Sequence, residues 1–307
     1  DAGPNQLIPI GTPYELSIPA LEGENITYCW EQLDSAEITS DNFGPYNALG
    51  SMTRSLPPTS VPNRSIPNLN QILSNSLIQV KPRVGDSWET VSLVGRKMKW
   101  GLSVRKNLDD YVQVAQDYLE LTVVPTTSPF YILSQESPSL VWKGGSYQTI
   151  GWNVAETNAP PFRIDAVEIS LSTDGGKTFP IQLTESTDNI GKAEVFVPNN
   201  IDTTNARIKV KAKGGIFFAI NSVDFSIESR DLILNFEKYE QEICDSDSVQ
   251  FDFTIERKAN FEASFSLELE ELPEGIQAAV SKSTFTNSED SGTIIFSGLN
   301  GIPYQDY

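Results

Sequence analysis

The stretch VEISLSTDGGKTFP, residues 167–180, admits three readings, and the choice among them decides the fold. Gly176, Lys177 and Thr178 end it like a phosphate-binding loop, while Ser172, Asp174, Gly176, Thr178 and Phe179 spell the Asp-box of sialidases. A phosphate loop needs a glycine five positions before Gly176, where Leu171 stands, and a helix afterwards, where Phe179, Ile181 and Leu183 alternate in strand period. An Asp-box repeats once per blade of a propeller, and this chain has it once. What remains is a hairpin. Strands from Val167 to Leu171 and from Phe179 to Leu183 flank a loop in which Gly175 and Gly176 take positive φ and Asp174 caps backbone amides.

Outward from this hairpin the same period of two recurs along the chain. Met98, Trp100, Leu102 and Val104 show it, as do Leu119, Leu121 and Val123; Ile150, Trp152 and Val154; Ile208, Val210 and Ala212; Val223, Phe225 and Ile227. Further on, Val249 to Ile255 and Phe261 to Leu269 repeat it. Each set lines one face of a half-buried strand. Turn signals such as KGG, TDGG, DNIG and LPEG separate the sets, a spacing that predicts antiparallel sandwiches. Only IPNLNQILSNS, residues 66–76, reads as briefly helical. The fold class is all-β: tandem immunoglobulin-like sandwiches, the first with a long Pro/Ser-rich insertion and one short helix.

Two breaks divide the chain. VVPTTSPF (123–130) holds two prolines that interrupt a ladder, and IESRDLIL (227–234) joins two strand patterns. The expected domains are therefore 1–126, 127–228 and 229–307, the last ending before its closing strand. Between Gly44 and Pro67 the first domain runs GPYNALGSMTRSLPPTSVPNRSIP, too irregular for a sheet. It reads as a surface loop anchored by Arg54 and Arg64 to buried carbonyls or carboxylates, with partner binding as the alternative.

Composition narrows the chemistry. The 307 residues carry 41 acidic against 22 basic side chains, a formal charge of −19 that repels nucleic acid and anionic membranes. No apolar run reaches the roughly 20 residues that span a bilayer. There is no histidine, which removes Ser/His/Asp and Cys/His machinery and HExxH zinc sites from this chain. Paired carboxylates, as in glycosidases, survive that exclusion. Cys29 and Cys244 lie in different expected domains and read as two separate buried thiols.

Few residues suggest a site. In YCWEQ (28–32), Tyr28 and Trp30 share one strand face and Cys29 takes the other. Trp100 and Trp152 fall in phase with apolar neighbours, whereas Trp88, in VGDSWET, does not and reads as an exposed aromatic of the kind that stacks on sugars. Asp245 and Asp247 in CDSDS resemble a fragment of a calcium loop, although the strand-like VQFDF that follows favours a solvated turn. DSA (34–36), DTT (202–204) and DSV (247–249) match a short O-glycosylation pattern.

Longer stretches carry a family resemblance. AGPNQLIPIGTPYELS, ITYCWEQLD, RSLPPTSVPNRSIPNLNQIL and LSVRKN, then VWKGGSYQTIGWNVAET, VEISLSTDGGKTFP and FVPNNIDTTNARIKVKAKGGIFFAINSVDFSI, and finally EICDSDSVQFDFTI with LPEGI, resemble the region after the catalytic domain in secreted reprolysin-like zinc metallopeptidases of Bacteroidota. The resemblance implies a secreted or cell-surface bacterial protein. Its zinc-binding catalytic domain would lie upstream and a type-nine sorting signal downstream. Relatives place an Asp-rich, calcium-suited turn where this chain has PALEGENIT; Glu22 and Glu24 keep its charge without its geometry. The expected role is a non-catalytic accessory or spacer region that contacts proteins or the cell surface and positions the upstream enzyme, holding no cofactor itself, with calcium at Asp245 and Asp247 as the alternative to a solvated turn. A carbohydrate-binding or adhesive module and a carboxylate-based hydrolase are the alternatives.

Overall fold

Strand-forming, alternately buried segments account for the architecture seen in the computed structural model, which describes residues 1–108, 111–238, 241, 246–258, 261–270 and 272–299. The chain divides into two compact units. One comprises Asp1–Trp142, Ser146–Val197 and Ile201–Glu228; the other comprises Lys143–Gly145, Pro198–Asn200 and Ser229–Tyr307.

The first unit opens with β1 (Gln6–Pro9), β2 (Tyr14–Leu16), β3 (Ile26–Gln32), β4 (Arg64–Ile66) and the short helix α1 (Leu69–Leu73). The long hairpin β5 (Arg96–Asn107) and β6 (Val112–Val124) follows. These strands form a sheet in the order β1-β6-β5-β3, with β1 parallel to β6, while β2 and β4 pair separately. Met98, Trp100 and Leu102 of β5 and Leu119, Leu121 and Val123 of β6 face inward and are buried. Alternation therefore translates directly into a core face.

The same unit continues with β7 (Tyr131–Ile132), β8 (Val141–Lys143), β9 (Ser146–Asn153), β10 (Ala166–Ser172), β11 (Ile181–Asp188), β12 (Lys192–Val197), β13 (Thr203–Ala212), β14 (Phe218–Ile220) and β15 (Phe225–Glu228). One sheet runs β11-β10-β13-β15-β8, with β14 added to β13, and a second runs β12-β9-β7. Inward residues of both, among them Ile150, Trp152, Ile169, Val197, Ile208 and Phe225, share one core. Two sheets whose chain-order neighbours are exchanged between layers make an immunoglobulin-like sandwich.

The second unit holds β16 (Leu232–Phe236), β17 (Ser248–Arg257), β18 (Gln277–Val280) and β19 (Ser291–Ser297) in the order β16-β17-β19-β18. Its core is small, built on Phe253, Ile255, Phe285 and Ile294. The expected strand from Phe261 to Leu269 does not form; Phe265 makes an isolated bridge to Phe285 instead. Alternation orients Phe265 and Leu267 toward the core, but a strand also needs a continuous ladder partner.

VVPTTSPF, read from the sequence as a break, is firmly held. Phe130 is buried and meets Phe217 edge-on with centroids 5.2 Å apart, and its N–H donates to Thr12 Oγ1 at 2.9 Å. Backbone bonds cross the same junction: Glu15 N–H to Ile216 O at 2.8 Å and Phe218 N–H to Pro13 O at 3.1 Å, around a Tyr14–Phe217 bridge. The core is continuous across this junction, drawing on both sandwiches of the first unit.

Candidate functional site

The segment between β3 and β5 contains only β4 and α1 as regular elements, so most of its backbone polar groups need side-chain partners. Arginines supply many of them. Arg64 Nη2 pairs with Glu89 Oε1 at 2.7 Å and donates to Arg54 O, while Nη1 donates to Trp30 O; the two paired side chains are 8% and 1% exposed. Glu89 Oε2 in turn accepts from Asn68 N–H at 2.6 Å, and Asn68 Oδ1 caps α1 by accepting from Gln71 N–H at 3.2 Å. Arg96, on β5, reaches the carbonyls of Asn47 and Gly50 and lies 3.6 Å from Asp34. Burial lowers the pKa of Arg96, with Asp34 and Tyr14 opposing that shift. Arg64 thus anchors the insertion, while Arg54 has a different task.

Arg54 stacks on Trp88, its guanidinium carbon 4.7 Å from the ring centroid, and Phe43 packs on the same indole at 5.5 Å in an edge arrangement. Trp88 Nε1 donates to Arg83 O at 3.1 Å. The exposed aromatic expected from the sequence is therefore half-buried and already stacked, not a free sugar platform. A cleft of about 250 Å³ beside it is lined by Ile38, Phe43, Ser51, Thr53, Arg54 and Trp88. A second, of about 280 Å³, is lined by Gly11, Asn75, Ser76, Leu77, Ile78, Val91, Leu93 and Pro129. Neither cleft carries a carboxylate.

The loop between β10 and β11 is a closed hydrogen-bonding unit. Ser172 Oγ donates to Asp174 Oδ1 at 2.7 Å and accepts from Gly176 N–H at 2.9 Å. Asp174 also accepts from Thr178 N–H at 3.0 Å and, through Oδ2, from Thr178 Oγ1 at 2.7 Å. Burial by itself would raise the Asp174 pKa, but bonds from Ser172, Thr178 and Lys177 outweigh it and bring the value to about 2. Gly175 and Gly176 have φ of 77° and 86°, and a Cβ on Gly176 would stand 2.4 Å from Leu73 Cδ2. The turn that mimics an active-site motif is thus the surface against which α1 of the insertion packs. Its carboxylate is consumed by its own loop.

Asp247 is exposed at the bend before β17, and Asp245 and Cys244 lie outside the described residues. Cys29 is half-buried on the outer face of β3, not in the core; its Sγ donates to Leu56 O, and partial burial and then Glu31 raise its pKa. The thiol expected to be buried packs at an edge because Tyr28 and Trp30 occupy the inward face. Among the described residues no group of three or more His, Cys, Asp or Glu is arranged to hold a metal, and no helix is long and apolar enough to cross a membrane. The carboxylates of Asp117 and Glu289 move down in pKa, like that of Asp174: Asp117 through the Ala2 and Tyr118 N–H groups, Glu289 through Lys282 and Thr286. A general acid needs the opposite shift.

No protein-family model matches the chain, and no curated protein matches it. Among solved structures, the I67–I69 fragment of the titin I-band aligns over 97% of this chain and 87% of its own, with 12% identity and a TM-score of 0.22. The fibronectin(III)-like modules of Clostridium thermocellum CbhA align over 74% and 90%, with 10% identity and a TM-score of 0.22. Sidekick-1 immunoglobulin domains 1–5 align over 98% of this chain and 52% of their own, with 9% identity and a TM-score of 0.22. Superpositions this shallow assign neither ligand nor partner. The fold rests on the chain's own strand order: it is a tandem of immunoglobulin-like β-sandwiches.

Proposed function

We propose that this chain is a non-catalytic interaction and spacer region of a secreted, reprolysin-like zinc metallopeptidase of Bacteroidota, extracellular or on the cell surface. In this reading zinc belongs to an upstream catalytic domain, and residues 1–228 form a stiff arm between that enzyme and its protein or surface partner. The observation that carries the spacer role is the junction around Tyr14 and Phe217, where backbone hydrogen bonds and shared core residues join two sandwiches without a free linker. Stiffness of this kind fixes distance and direction, which is what positioning requires. The metallopeptidase parentage is supported by the ordered stretches that resemble that family.

Two measurements test the two parts separately. An HExxH segment upstream in the reading frame supports the parentage, and a frame without one removes it. In the parent, deleting residues 1–307 should slow cleavage of a folded protein substrate while sparing a short peptide. Equal loss on both substrates would overturn the positioning role.

A further inference from the structure

Strand β6 leaves the sandwich before it reaches its turn. Its buried, alternating half runs from Leu119 to Val123, whereas Val112, Gln113, Val114, Ala115 and Gln116 are exposed on both faces. β1 covers its edge only from Leu121 to Val124. The Asn5 side chain meets Glu120 N–H at 2.8 Å, and Ile10 N–H meets Val124 O at 3.2 Å, which fixes the phase: even-numbered residues aim their backbone groups outward. Leu108 N–H to Tyr111 O, inside the hairpin, agrees, because odd-numbered residues bond toward β5. Among the described residues, the outward N–H and C=O groups of Val112, Val114 and Gln116 meet no protein partner.

Several other edges of this unit are blunted, and the six-residue edge strand β12 opens with Lys192. β3 is covered by the Tyr28–Thr59 bridge, β11 is broken by register shifts, and β1 and β7 are short. From Val112 to Tyr118 the chain has no proline and no lysine, and the β5–β6 register runs without a shift. An unprotected edge of this length is a template for another strand.

We propose that the Val112–Gln116 edge of β6, which ends where the Tyr118 N–H is taken by Asp117 Oδ1, is a docking site for an extended, basic segment of a partner polypeptide, which adds to the sheet as a strand. The chemistry of that segment follows from the two faces. On the outer face Val112, Val114 and Tyr118 are 53%, 55% and 50% exposed and call for apolar side chains beside them. On the other face Asp117 keeps its charge, its carboxylate accepting from the Ala2 and Tyr118 N–H groups at 2.8 Å each, which lowers its pKa. Residues 108–124 contain Asp109, Asp110, Asp117 and Glu120 and neither lysine nor arginine. The bases of the neighbouring β5 are Arg96, which is buried against the Asn47 and Gly50 carbonyls, Lys97, which is paired with Glu120 at 2.7 Å, Lys99, which lies over Tyr118, and Arg105 and Lys106. The backbone of β5 stands two strand spacings from an added segment, roughly 10 Å, and the Lys97 and Lys99 heads that reach over β6 are held there by Glu120 and the Tyr118 ring. A second copy of this chain is disfavoured because it would bring the same acidic strand against itself, with a charge of −19 on each molecule. The partner strand therefore alternates apolar residues with Lys or Arg.

This inference deepens the interaction role proposed above but does not depend on the metallopeptidase parentage, so the reading-frame test leaves it untouched. The probes are the capped peptides KVKVKVKV, EVEVEVEV and KVKPKVKV, titrated into the full chain by calorimetry, with amide NMR to locate the site. KVKVKVKV should bind one per chain, shifting amides from 112 to 116, with the acidic and proline peptides at least about tenfold weaker. Val114→Pro should abolish binding, since the N–H it removes points outward and serves no bond within the sheet. If that variant misfolds, Val112→Lys keeps the backbone and should still weaken the basic peptide about tenfold. Equal binding of the acidic peptide, absence of binding, or indifference to Val112→Lys would overturn the proposal. So would a wild-type dimer in sedimentation that Val114→Pro converts to monomer, because the edge would then belong to a second copy.

Discussion

Asp174 and Glu89 are both acids with several hydrogen-bond donors, yet their surroundings give them different energetic weight. Asp174 serves an exposed turn and its folded pKa is depressed to about 2. A depressed carboxylate stabilises the fold fully above its ordinary value near 4, and that contribution is lost as pH falls from about 4 toward 2. Urea denaturation across this window should show stability declining with acid, and Asp174→Asn should lower the plateau and flatten that part of the profile. Glu89 is 1% exposed and faces the Arg64 guanidinium. Removing it leaves a buried charge unpaired, so Glu89→Ala should cost about 3–5 kcal/mol by chemical denaturation. Arg64→Met together with Glu89→Leu should cost less than the two single changes summed, because the pair is removed as a unit.

At the scale of elements, the insertion shows how irregular chain acquires a defined conformation. Its one helix, α1, spans five residues and is far too short to persist alone. Packing of Leu73 on Gly176 and the Glu89–Asn68 bond hold it in place. Gly176→Ala places a Cβ at positive φ against Leu73 and should destabilise by about 1–3 kcal/mol. The same change in a Leu73→Ala background should cost less, which thermal melts of the four variants would reveal. Trp88, with φ of 56° and Arg54 on its ring, belongs to this packing. Trp88→Ala should cost about 1–3 kcal/mol and leave retention on polysaccharide columns unchanged; a loss of retention would restore the sugar-binding reading. The hairpin between β10 and β11 was legible because TDGG between two alternating runs specifies a turn by local chemistry. The docking of α1 on that turn was not legible, since Leu73 and Gly176 lie about a hundred positions apart and neither marks the other.

For the whole molecule, two separate cores predict two unfolding transitions in calorimetry. The larger should belong to the unit built on Trp100, Trp152 and Phe217, the smaller to that built on Phe253 and Phe285. Phe130 is buried at the junction of the first two sandwiches, so Phe130→Ala should remove about 3–5 kcal/mol from the larger transition alone. Separate melting of residues 1–126 and 127–228 would contradict the continuous core. The sequence by itself determined the all-β class, the inward faces of most strands, the burial of Trp100 and Trp152, and the exclusion of histidine chemistry. Periodicity and composition are local properties that need no knowledge of neighbours. Only the tertiary structure decided that the proline-bearing VVPTTSPF is a fixed joint, that Trp88 is already stacked, and that the run from Phe261 to Leu269 lacks a ladder. It alone decided that the far edge of the outer half of β6 stands unpaired, because each of these depends on which distant segment arrives to satisfy a side chain or a backbone edge.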